Sequence, residues 1–552
     1  MHPRWTPAFP LDRVPVGGAR LYKHDELQVA VFHLPDGVYA VDNRCPHQGY
    51  PLLQGAVSGC VVTCKWHNYK FNLRDGACVM GEEPVRSYPV RIVDGQVEID
   101  LAPSPALLAG LWADLTTAME RHEPGRIARN VVRLLDLGVT AAELARFGAT
   151  FDADHGEYGP SHALALAAAV AAGTSAAEPV LPLVQALDLA ARSNVRLPRR
   201  SIPEPIDPGD DPSAAGARVR VLIETEQGAE AEALVRGAVA RGWGRAELQP
   251  WFFQLCADHF LDFGHALIYS VKVFELLDTA PSASAPRDAA SLLGALTWGI
   301  TCGTRADLLP GWAGWLRRIA ETHAPTTDQL ALDALVDAEP ASAFALVAGS
   351  SDPLDALSLA AAERLLRFDP AIDADATVGE GWLDVTHTLT FVNAVRHARR
   401  HGAPDVERLM LQAAHFVAIT RALDGARREI VPEPATIDEV VDAVGARRGG
   451  DVRPDAVDLA AGCLGHHEIG ALAAALEARM WRDHATRAIF LAHLVKTLRS
   501  GAEEATATGD SRPFLAAIRF LAAPLRERNV ERAVHEAIAL VRHGRPPRSL
   551  VS

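Results

Sequence analysis

Four residues near the start of the chain have the types and the spacing of a metal centre. Cys45 and His47 are separated by one residue, and after sixteen further residues come Cys64 and His67, separated by two. Two thiolates and two imidazoles can hold the two irons of a [2Fe–2S] cluster, with sulfur ligands on one iron and nitrogen ligands on the other. A single zinc ion uses the same ligand types, but a C-x-H pair is unusual in zinc fingers. The spacing therefore favours an iron–sulfur cluster, which transfers one electron at a time.

The sequence around these four ligands resembles a known family. Residues 5–102 are similar to the Rieske domains of ring-hydroxylating oxygenases and their ferredoxins, which share the pattern C-P-H-x-G…C-x-W-H-x-x-x-F-x-L-x-x-G. Tyr50 and Asn68 depart from the family, which usually has small residues at these positions. The resemblance implies that Cys45, His47, Cys64 and His67 hold a Rieske [2Fe–2S] cluster.

A second group of imidazoles lies in the rest of the chain. The sequence has 21 histidines, and several stand in apolar segments with helical spacing. A lone histidine on an apolar helix face is more often a hydrogen-bonded core residue than a ligand. Several of them downstream of an electron donor favour a different interpretation, because no glycine-rich dinucleotide motif offers another electron acceptor. Imidazole ligands to a mononuclear non-heme iron are the simplest alternative.

One lysine accompanies these histidines. The chain has only five lysines among its 54 basic residues, and Lys496 follows His493 by three positions. The two side chains would therefore share one face of a helix. Lys496 could extend its ammonium group to solvent. Alternatively, burial could leave it neutral, and carboxylation by CO₂ would then make it a metal ligand. Both interpretations remain open at this stage.

Two known iron motifs do not fit the sequence. Ordinary Rieske oxygenases bind their mononuclear iron with a D-x-x-H-x-(three or four)-H motif. Asp262-x-x-His265 and Asp384-x-x-His387 begin such a motif, but no second histidine follows at the required spacing. The paired Glu-x-x-His motifs of a di-iron helical bundle are also missing from the sequence. An ordinary ring-hydroxylating subunit and a di-iron bundle are therefore disfavoured.

A distant resemblance covers residues 110–545. The run from His387 to Arg396, the run His493-Leu-Val-Lys496 and the early segment from Asp154 to His162 are similar to the questin oxidase-like family. The resemblance implies an all-helical oxygenase that binds a mononuclear non-heme iron through histidines and a modified lysine and acts on polyketide-derived aromatic compounds. Asn393 departs from the family, which has a histidine there. The implied iron ligands are His162, His265, His387, His493 and, as a possible fifth, Lys496. Three acidic residues are expected to orient the ligand imidazoles: Asp258, Asp262 and Asp384.

The elements that must position these residues change character near residue 102. Short alternating apolar runs and the turn Asp94-Gly95 predict β-strands and a hairpin in the first hundred residues. Beyond them, alanine, leucine and arginine dominate at helical spacing. The sequence therefore predicts a multidomain protein, with a small all-β Rieske domain at 1–102, a linker at 103–108 and a large all-α, histidine-rich domain at 109–552.

The predicted function is that of an iron-dependent oxidoreductase. An external reductase or ferredoxin would reduce the [2Fe–2S] cluster, which would pass electrons to the helical iron site for O₂-dependent oxidation of an aromatic or polycyclic substrate. The alternative is a Rieske electron-transfer or redox-sensing protein with a metal-free helical scaffold. The net charge of −15 argues against a nucleic-acid partner, and no apolar run is long enough to span a membrane. The five remaining cysteines are scattered and suggest reduced thiols and a cytoplasmic location.

Overall fold

The computed structural model divides the chain into two compact units. One unit comprises Met1–Ala118 together with Val132–Gly138, and the other comprises Met119–Val131 and Val139–Ser552. The structure describes residues 4–545 except 104, 175–177, 196, 198, 282–284, 310–311, 313–329, 376, 428, 448–454, 484–486 and 525–528. The predicted fold class is confirmed, because β-strands make up the first hundred residues and helices dominate the remainder.

The N-terminal unit contains three small antiparallel sheets. Their orders are β1-β11-β10, β2-β3-β4-β9 and β5-β6-β7-β8. Phe32, Leu52 and Phe71 form one core together with the two ligand cysteines. The strands are β1 (Trp5–Pro10), β2 (Ala19–His24), β3 (Leu27–Leu34), β4 (Gly37–Asp42), β5 (Ala56–Ser58), β6 (Val61–Thr63), β7 (Lys70–Asn72), β8 (Cys78–Met80), β9 (Ser87–Tyr88), β10 (Val90–Val93) and β11 (Gln96–Asp100).

The helices begin within the segment that was expected to be a linker. None of the helices in the described parts of the chain has both the length and the apolar character that a membrane-spanning helix needs. The helices are α1 (Pro105–Glu120), α2 (Pro124–Asp136), α3 (Ala141–His155), α4 (Ala163–Ala171), α5 (Val180–Ser193), α6 (Pro212–Glu224), α7 (Gly228–Ala240), α8 (Arg245–Asp258), α9 (His265–Asp278), α10 (Ala285–Cys302), α11 (Leu332–Val336), α12 (Pro340–Ala348), α13 (Leu354–Arg367), α14 (Pro370–Ala374), α15 (Trp382–Arg400), α16 (Val406–Ile419), α17 (Ile437–Gly445), α18 (Ala456–Cys463), α19 (Ile469–Met480), α20 (Ala488–Thr508), α21 (Arg512–Ala522) and α22 (Asn529–Ala537).

Four of these helices form a closed ring. Helix α4 packs against α9, α9 against α15, α15 against α20, and α20 against α4. Helix α4 consists of alanine, leucine and valine, and nearly all of it is buried. Small side chains allow neighbouring helices to approach closely. The ring therefore brings together four helices that are far apart in the sequence.

Candidate metal centres

The two cysteine–histidine pairs lie on two loops that close in the same way. The first loop follows β4, and the second connects β6 to β7. In the first, the Cys45 amide donates to the Tyr50 carbonyl, and the Cys45 carbonyl accepts from the Gly49 amide, at 2.9 and 2.8 Å. In the second, Cys64 bonds the Tyr69 carbonyl and the Asn68 amide in the same pattern, at 2.8 and 3.0 Å. Each loop therefore holds its cysteine by two backbone hydrogen bonds.

Asn68, an unusual residue for this motif, is explained by the loop geometry. Gly49 has a φ of 76°, and Asn68, at the equivalent position of the second loop, has a φ of 64°. Among residues with a side chain, asparagine is one of the few that adopt this left-handed conformation readily. Asn68 also accepts a hydrogen bond from the Lys70 ammonium group at 3.1 Å. The departure from a small residue therefore leaves the loop conformation intact.

The four predicted ligand side chains are arranged as two pairs. The Nδ1 atoms of His47 and His67 are 3.2 Å apart. Two nitrogens about 2.1 Å from one tetrahedral metal would be about 3.4 Å apart, so the two imidazoles are placed to share one iron. The sulfurs of Cys45 and Cys64 are buried beside each other. This pairing of nitrogen with nitrogen and sulfur with sulfur is the ligand arrangement of a two-iron Rieske cluster.

The exposure of the two pairs differs. Burial, reinforced by the neighbouring Cys64, raises the pKa of the Cys45 thiol to about 11. The thiol would stay protonated at neutral pH without a metal, so binding of iron must supply the energy for its deprotonation. By contrast, His67 and its neighbour Trp66 are exposed. The histidine side of the centre thus faces solvent.

Four histidines of the helical unit converge on one point. His162 caps the N-terminus of α4, His265 begins α9, His387 lies within α15 and His493 within α20. One ring nitrogen from each lies within 4.8 Å of the other three. The Nε2 atoms of His162 and His265 are 3.2 Å apart, and those of His387 and His493 are 3.3 Å apart. The structure thus brings together all four of the histidines that the sequence singled out.

Hydrogen bonds on the opposite ring nitrogens turn the Nε2 atoms inward. The Nδ1 atom of His265 lies 2.6 Å from the Asp262 carbonyl, and that of His493 lies 2.8 Å from the Ile489 carbonyl. A carbonyl only accepts, so these Nδ1 atoms carry the proton and leave a lone pair on Nε2. Metal-binding histidines commonly donate their second N–H in this way.

The four imidazoles are uncharged at neutral pH. Burial lowers the pKa of His265 to about 3, and repulsion from Lys496 acts in the same direction. Burial likewise holds the pKa values of the other three imidazoles well below the usual value. A cation can therefore bind four neutral nitrogens without displacing protons from them. Neutral imidazole suits iron, zinc, copper and nickel, so this donor set fits a first-row transition metal.

Lys496 lies one turn beyond His493 on α20. Its side chain is only 4% exposed, and its Nζ atom makes no hydrogen bond within the described residues. Burial lowers the pKa of Lys496 to about 7, and the charge of Lys272 adds to this effect. The neutral amine of Lys496 is therefore far more accessible at neutral pH than that of an exposed lysine. Extension to solvent, one of the two interpretations from sequence, does not match this burial.

Comparisons with known proteins define the N-terminal unit. The profile of the Rieske-like [2Fe-2S] domain matches residues 4–100. The ferredoxin subunit of anthranilate 1,2-dioxygenase from Burkholderia cepacia is 41% identical over 75 residues, which are 13% of this chain and 69% of the relative. The ferredoxin subunit of biphenyl dioxygenase from a Pseudomonas species is 34% identical over 101 residues, 18% of this chain and 93% of the relative. Through its N-terminal unit, the chain belongs to the Rieske-like [2Fe–2S] domain family.

A solved structure gives a match of the same extent. The ferredoxin of carbazole 1,9a-dioxygenase from Nocardioides aromaticivorans is 27% identical, covers 18% of this chain and 98% of its own, and has a TM-score of 0.17. None of these three matches covers more than 18% of this chain.

The three carboxylates expected to orient the imidazoles have other partners. The Asp258 carboxylate pairs with Arg220 at 2.6 Å, and the Asp262 carboxylate accepts from the Thr304 amide at 2.6 Å. Asp384 accepts from the Gly381 amide at 2.7 Å and caps α15. His265 Nδ1 donates its hydrogen bond to the backbone carbonyl of Asp262 and not to the Asp262 carboxylate. A carbonyl suffices for this purpose because the ligand needs only an acceptor for its N–H.

Two residues that sequence reasoning missed hold His162 in place. The Tyr269 hydroxyl lies 3.3 Å from His162 Nδ1. The fully buried Asp152 accepts from the amide and the hydroxyl of Ser161, at 2.7 and 2.9 Å, and so fixes the backbone next to His162. The one signal in the sequence was the position of Tyr269, four residues after His265 and therefore on the same face of α9.

Proposed function

We propose that the chain is an oxidoreductase in which the Rieske cluster supplies electrons to a mononuclear non-heme iron at the four-histidine centre. The reaction would be the O₂-dependent oxidation of an aromatic or polycyclic substrate, by oxygenation or ring cleavage. The single observation that carries the proposal is the convergence of four neutral imidazoles from four helices within 4.8 Å. Iron is preferred over zinc because zinc has no redox chemistry with which to use electrons from the cluster.

The histidines and Lys496 would have different roles at this centre. His162, His265, His387 and His493 would bind the iron through Nε2, and Lys496 would be a fifth ligand, in neutral or carboxylated form. When bound, the iron would accept single electrons and activate O₂. Burial of His387 and His493 excludes water from one side of the centre. The low-dielectric surroundings keep the imidazoles neutral and thus ready to bind.

The substrate would reach the centre from the side of His162 and His265, which are only partly buried. Residues on the loops that precede these two histidines expose aromatic rings, with Tyr158 at 69% and Phe263 at 40% exposure. A flat aromatic ring of the substrate could pack against such side chains. This arrangement supports an apolar aromatic substrate rather than a charged one.

The electron donor would be a separate reductase or ferredoxin. The exposed side of the cluster, with His67 and Trp66, supports this role because electrons have to enter there. Three of the relatives are ferredoxin subunits of dioxygenases for anthranilate, biphenyl and phenylpropionate or cinnamate. Such ferredoxins pass electrons to an oxygenase, and in the proposed scheme the acceptor is part of the same chain.

Metal analysis of the His387→Ala variant tests the proposal. The wild-type protein, loaded with ferrous iron without air, should contain about three irons per chain, two in the cluster and one at the histidines. The variant should contain about two and keep the EPR signal of the reduced cluster. The exposed His466→Ala variant is the matched control and should keep about three. Circular dichroism reports whether the helical unit of each variant has folded, and His493→Ala replaces His387→Ala if the latter does not fold.

The proposal fails if loaded wild-type protein contains only two irons, or if a folded His387→Ala protein still contains three. The first outcome would favour the second candidate function, that of an electron-transfer or redox-sensing protein with a metal-free helical scaffold. The ferredoxin relatives are the observation that supports this candidate. The two functions also differ in O₂ consumption with a reductant, which only the oxygenase would show in a manner dependent on His387.

A further inference from the structure

A cavity of about 450 Å³ lies in the helical unit, away from the residues of the four-histidine centre. Residues 202–205, which lie outside the helices, form one wall of this cavity, and α7 and the first turns of α10 form the others. The Ile206 amide donates to the Ala233 carbonyl at 3.1 Å and fastens the segment to α7. Gly237 makes this approach possible, since a Cβ atom there would lie 1.7 Å from the Ile206 carbonyl oxygen. The wall is therefore held in place by the fold.

A buried group with excess positive charge lies beneath the cavity. The carboxylate of Glu232, which is fully buried, accepts from both Arg236 and Arg200, at distances between 2.7 and 3.0 Å. Two guanidinium groups share this one carboxylate, so the three side chains together carry one net positive charge. Buried charges are normally paired, because an unpaired charge in a protein interior is costly. The excess charge calls for an anion.

The geometry of Arg236 directs this charge to the cavity. Its Nε and Nη2 atoms bond Glu232, whereas its Nη1 atom makes no hydrogen bond within the described residues. The Arg236 side chain is 7% exposed and lines the cavity. Gly294 of α10 gives it room, because a Cβ atom there would lie 2.7 Å from Nη2. The guanidinium group of Arg236 thus lines the cavity with one nitrogen that Glu232 does not engage.

The remaining lining suits the apolar body of a small molecule. Three prolines and two alanines, together with Ile202 and Val239, make up most of the wall. Arg287 lies on the exposed rim and forms no ion pair with a described residue, and Glu204 is the acidic residue of the lining. Ligand sites commonly combine apolar walls with a few directed polar groups in cavities of this size.

We propose that this cavity is a binding site for a small organic carboxylate. Arg236 would bind the carboxylate through Nη1, Arg287 would add a second positive charge from the rim, and the proline-rich wall would contact the apolar body of the ligand. Charge-assisted hydrogen bonds from arginine to carboxylate are among the stronger polar interactions in proteins. The site is independent of the metal centres and of the proposed oxidation.

Calorimetric titration of the full chain with benzoate tests the site. Benzoate should bind saturably at one site, with a dissociation constant of about 1 mM or lower. Benzamide has the same shape without the charge and should bind at least about tenfold more weakly. The Ala290→Phe substitution on α10 would fill the cavity without changing charge and should abolish binding. Arg287→Gln should weaken binding about fivefold.

Matched variants separate this site from others. Arg218→Gln, the same change of charge at an exposed position on α6, should bind benzoate like the wild type. His387→Ala should also leave benzoate binding unchanged, because the proposed iron site is elsewhere. Equal binding of benzamide, benzoate binding that survives in Ala290→Phe, or no saturable binding would overturn the proposal. Inorganic phosphate that binds more tightly than benzoate would overturn the assignment to an organic carboxylate.

Discussion

At the scale of single residues, the chemistry of the helical unit depends on which ring nitrogen faces the centre. A neutral imidazole has one N–H group and one lone pair. The Nδ1–H groups of His265 and His493 donate hydrogen bonds to backbone carbonyls. The Tyr269 hydroxyl lies beside Nδ1 of His162. The Nε2 lone pairs of His265 and His493 are therefore directed into the centre, where a cation could accept them.

The Tyr269→Phe variant tests the role of this hydroxyl as a positioning group. Without it, His162 Nδ1 loses this hydrogen-bond partner, and the ring can turn or change tautomer. We expect the affinity for ferrous iron to fall about 10- to 100-fold. Tyr158→Phe removes a hydroxyl from an exposed ring and serves as the control. Equal iron affinities of the two variants, measured by chelator competition, would show that Tyr269 only fills space.

The Lys496→Met variant separates a functional amine from a structural one. Methionine has a similar length and no polar group, so it would remove a buried amine that has no hydrogen-bond partner among the described residues. We expect the free energy of unfolding of the metal-free protein to rise by about 1–3 kcal/mol in urea titrations. Iron affinity and O₂ consumption should fall. A loss of stability would indicate instead that Lys496 is a structural residue.

The residues of the centre differ in how far the sequence could predict them. The four histidines and Lys496 could be singled out from residue type, apolar surroundings and resemblance, and the structure brings them together, while their role as ligands stays a prediction. Tyr269 and Asp152 could not be identified in this way. Each acts through a hydrogen bond to another segment, and His162 and Tyr269 are 107 positions apart in the chain. The local amino-acid sequence around either residue does not predict such a long-range contact.

At the scale of elements, the ring of α4, α9, α15 and α20 places one histidine from each helix at its centre. The start of α9 is the most constrained part of this ring. Asp262, Phe263 and Gly264 all have positive φ values, and Asp262 also bonds the Thr304 amide. Strained backbone of this kind persists where the surrounding structure holds it, often at functional sites. This turn places the His265 ring beside His387 of α15.

The Gly264→Ala substitution tests this close approach. A Cβ atom at Gly264 would lie 2.6 Å from Phe391 of α15, and the φ of 90° disfavours any side chain. Gly242 has a φ of 92° and open space around it, so Gly242→Ala measures the backbone cost alone, about 1–2 kcal/mol. We expect Gly264→Ala to cost about 1–3 kcal/mol more and to weaken iron binding. Equal unfolding free energies of the two variants would contradict the close approach.

The cap of α15 predicts a dependence of stability on pH. Burial raises the pKa of Asp384 to about 6 from the usual 3.8. Between these values the folded protein holds a proton that the unfolded chain releases, so the wild type loses stability as the pH rises through this window. Asp384→Asn keeps an acceptor for the Gly381 amide and does not titrate.

Relative to the wild type, the Asp384→Asn variant should gain up to about 3 kcal/mol in unfolding free energy between about pH 4 and about pH 8. The partly exposed cap Asp369 provides the control through Asp369→Asn, which should gain much less. Urea titrations at several pH values measure both. A gain for Asp384→Asn that does not depend on pH would refute the raised pKa.

The elements themselves were partly predictable from the sequence. The Asp94-Gly95 turn predicts a hairpin, and this turn joins β10 to β11 in the structure. The change to helical composition was also visible. The prolines of residues 103–108 suggested a linker, whereas α1 begins at Pro105. Proline is well tolerated in the first turn of a helix because the amide it lacks would have no partner there, so the same residue marks a linker or a helix start.

At the scale of the whole molecule, one chain carries a Rieske cluster site and a second candidate metal site in separate units. The relatives named above are ferredoxin subunits, and they match only the first unit. Fusion would fix the ratio of electron donor to acceptor at one to one. This ratio suits a reaction that takes electrons singly from the cluster. The central claim is therefore that iron occupies two places in each chain.

An anomalous-difference map at the iron absorption edge, from crystals of iron-loaded protein, tests this claim most directly. We expect one peak between the cysteines and histidines of the N-terminal loops and a second, separate peak among His162, His265, His387 and His493. A map with the first peak alone, from crystals grown with ferrous iron, would contradict it.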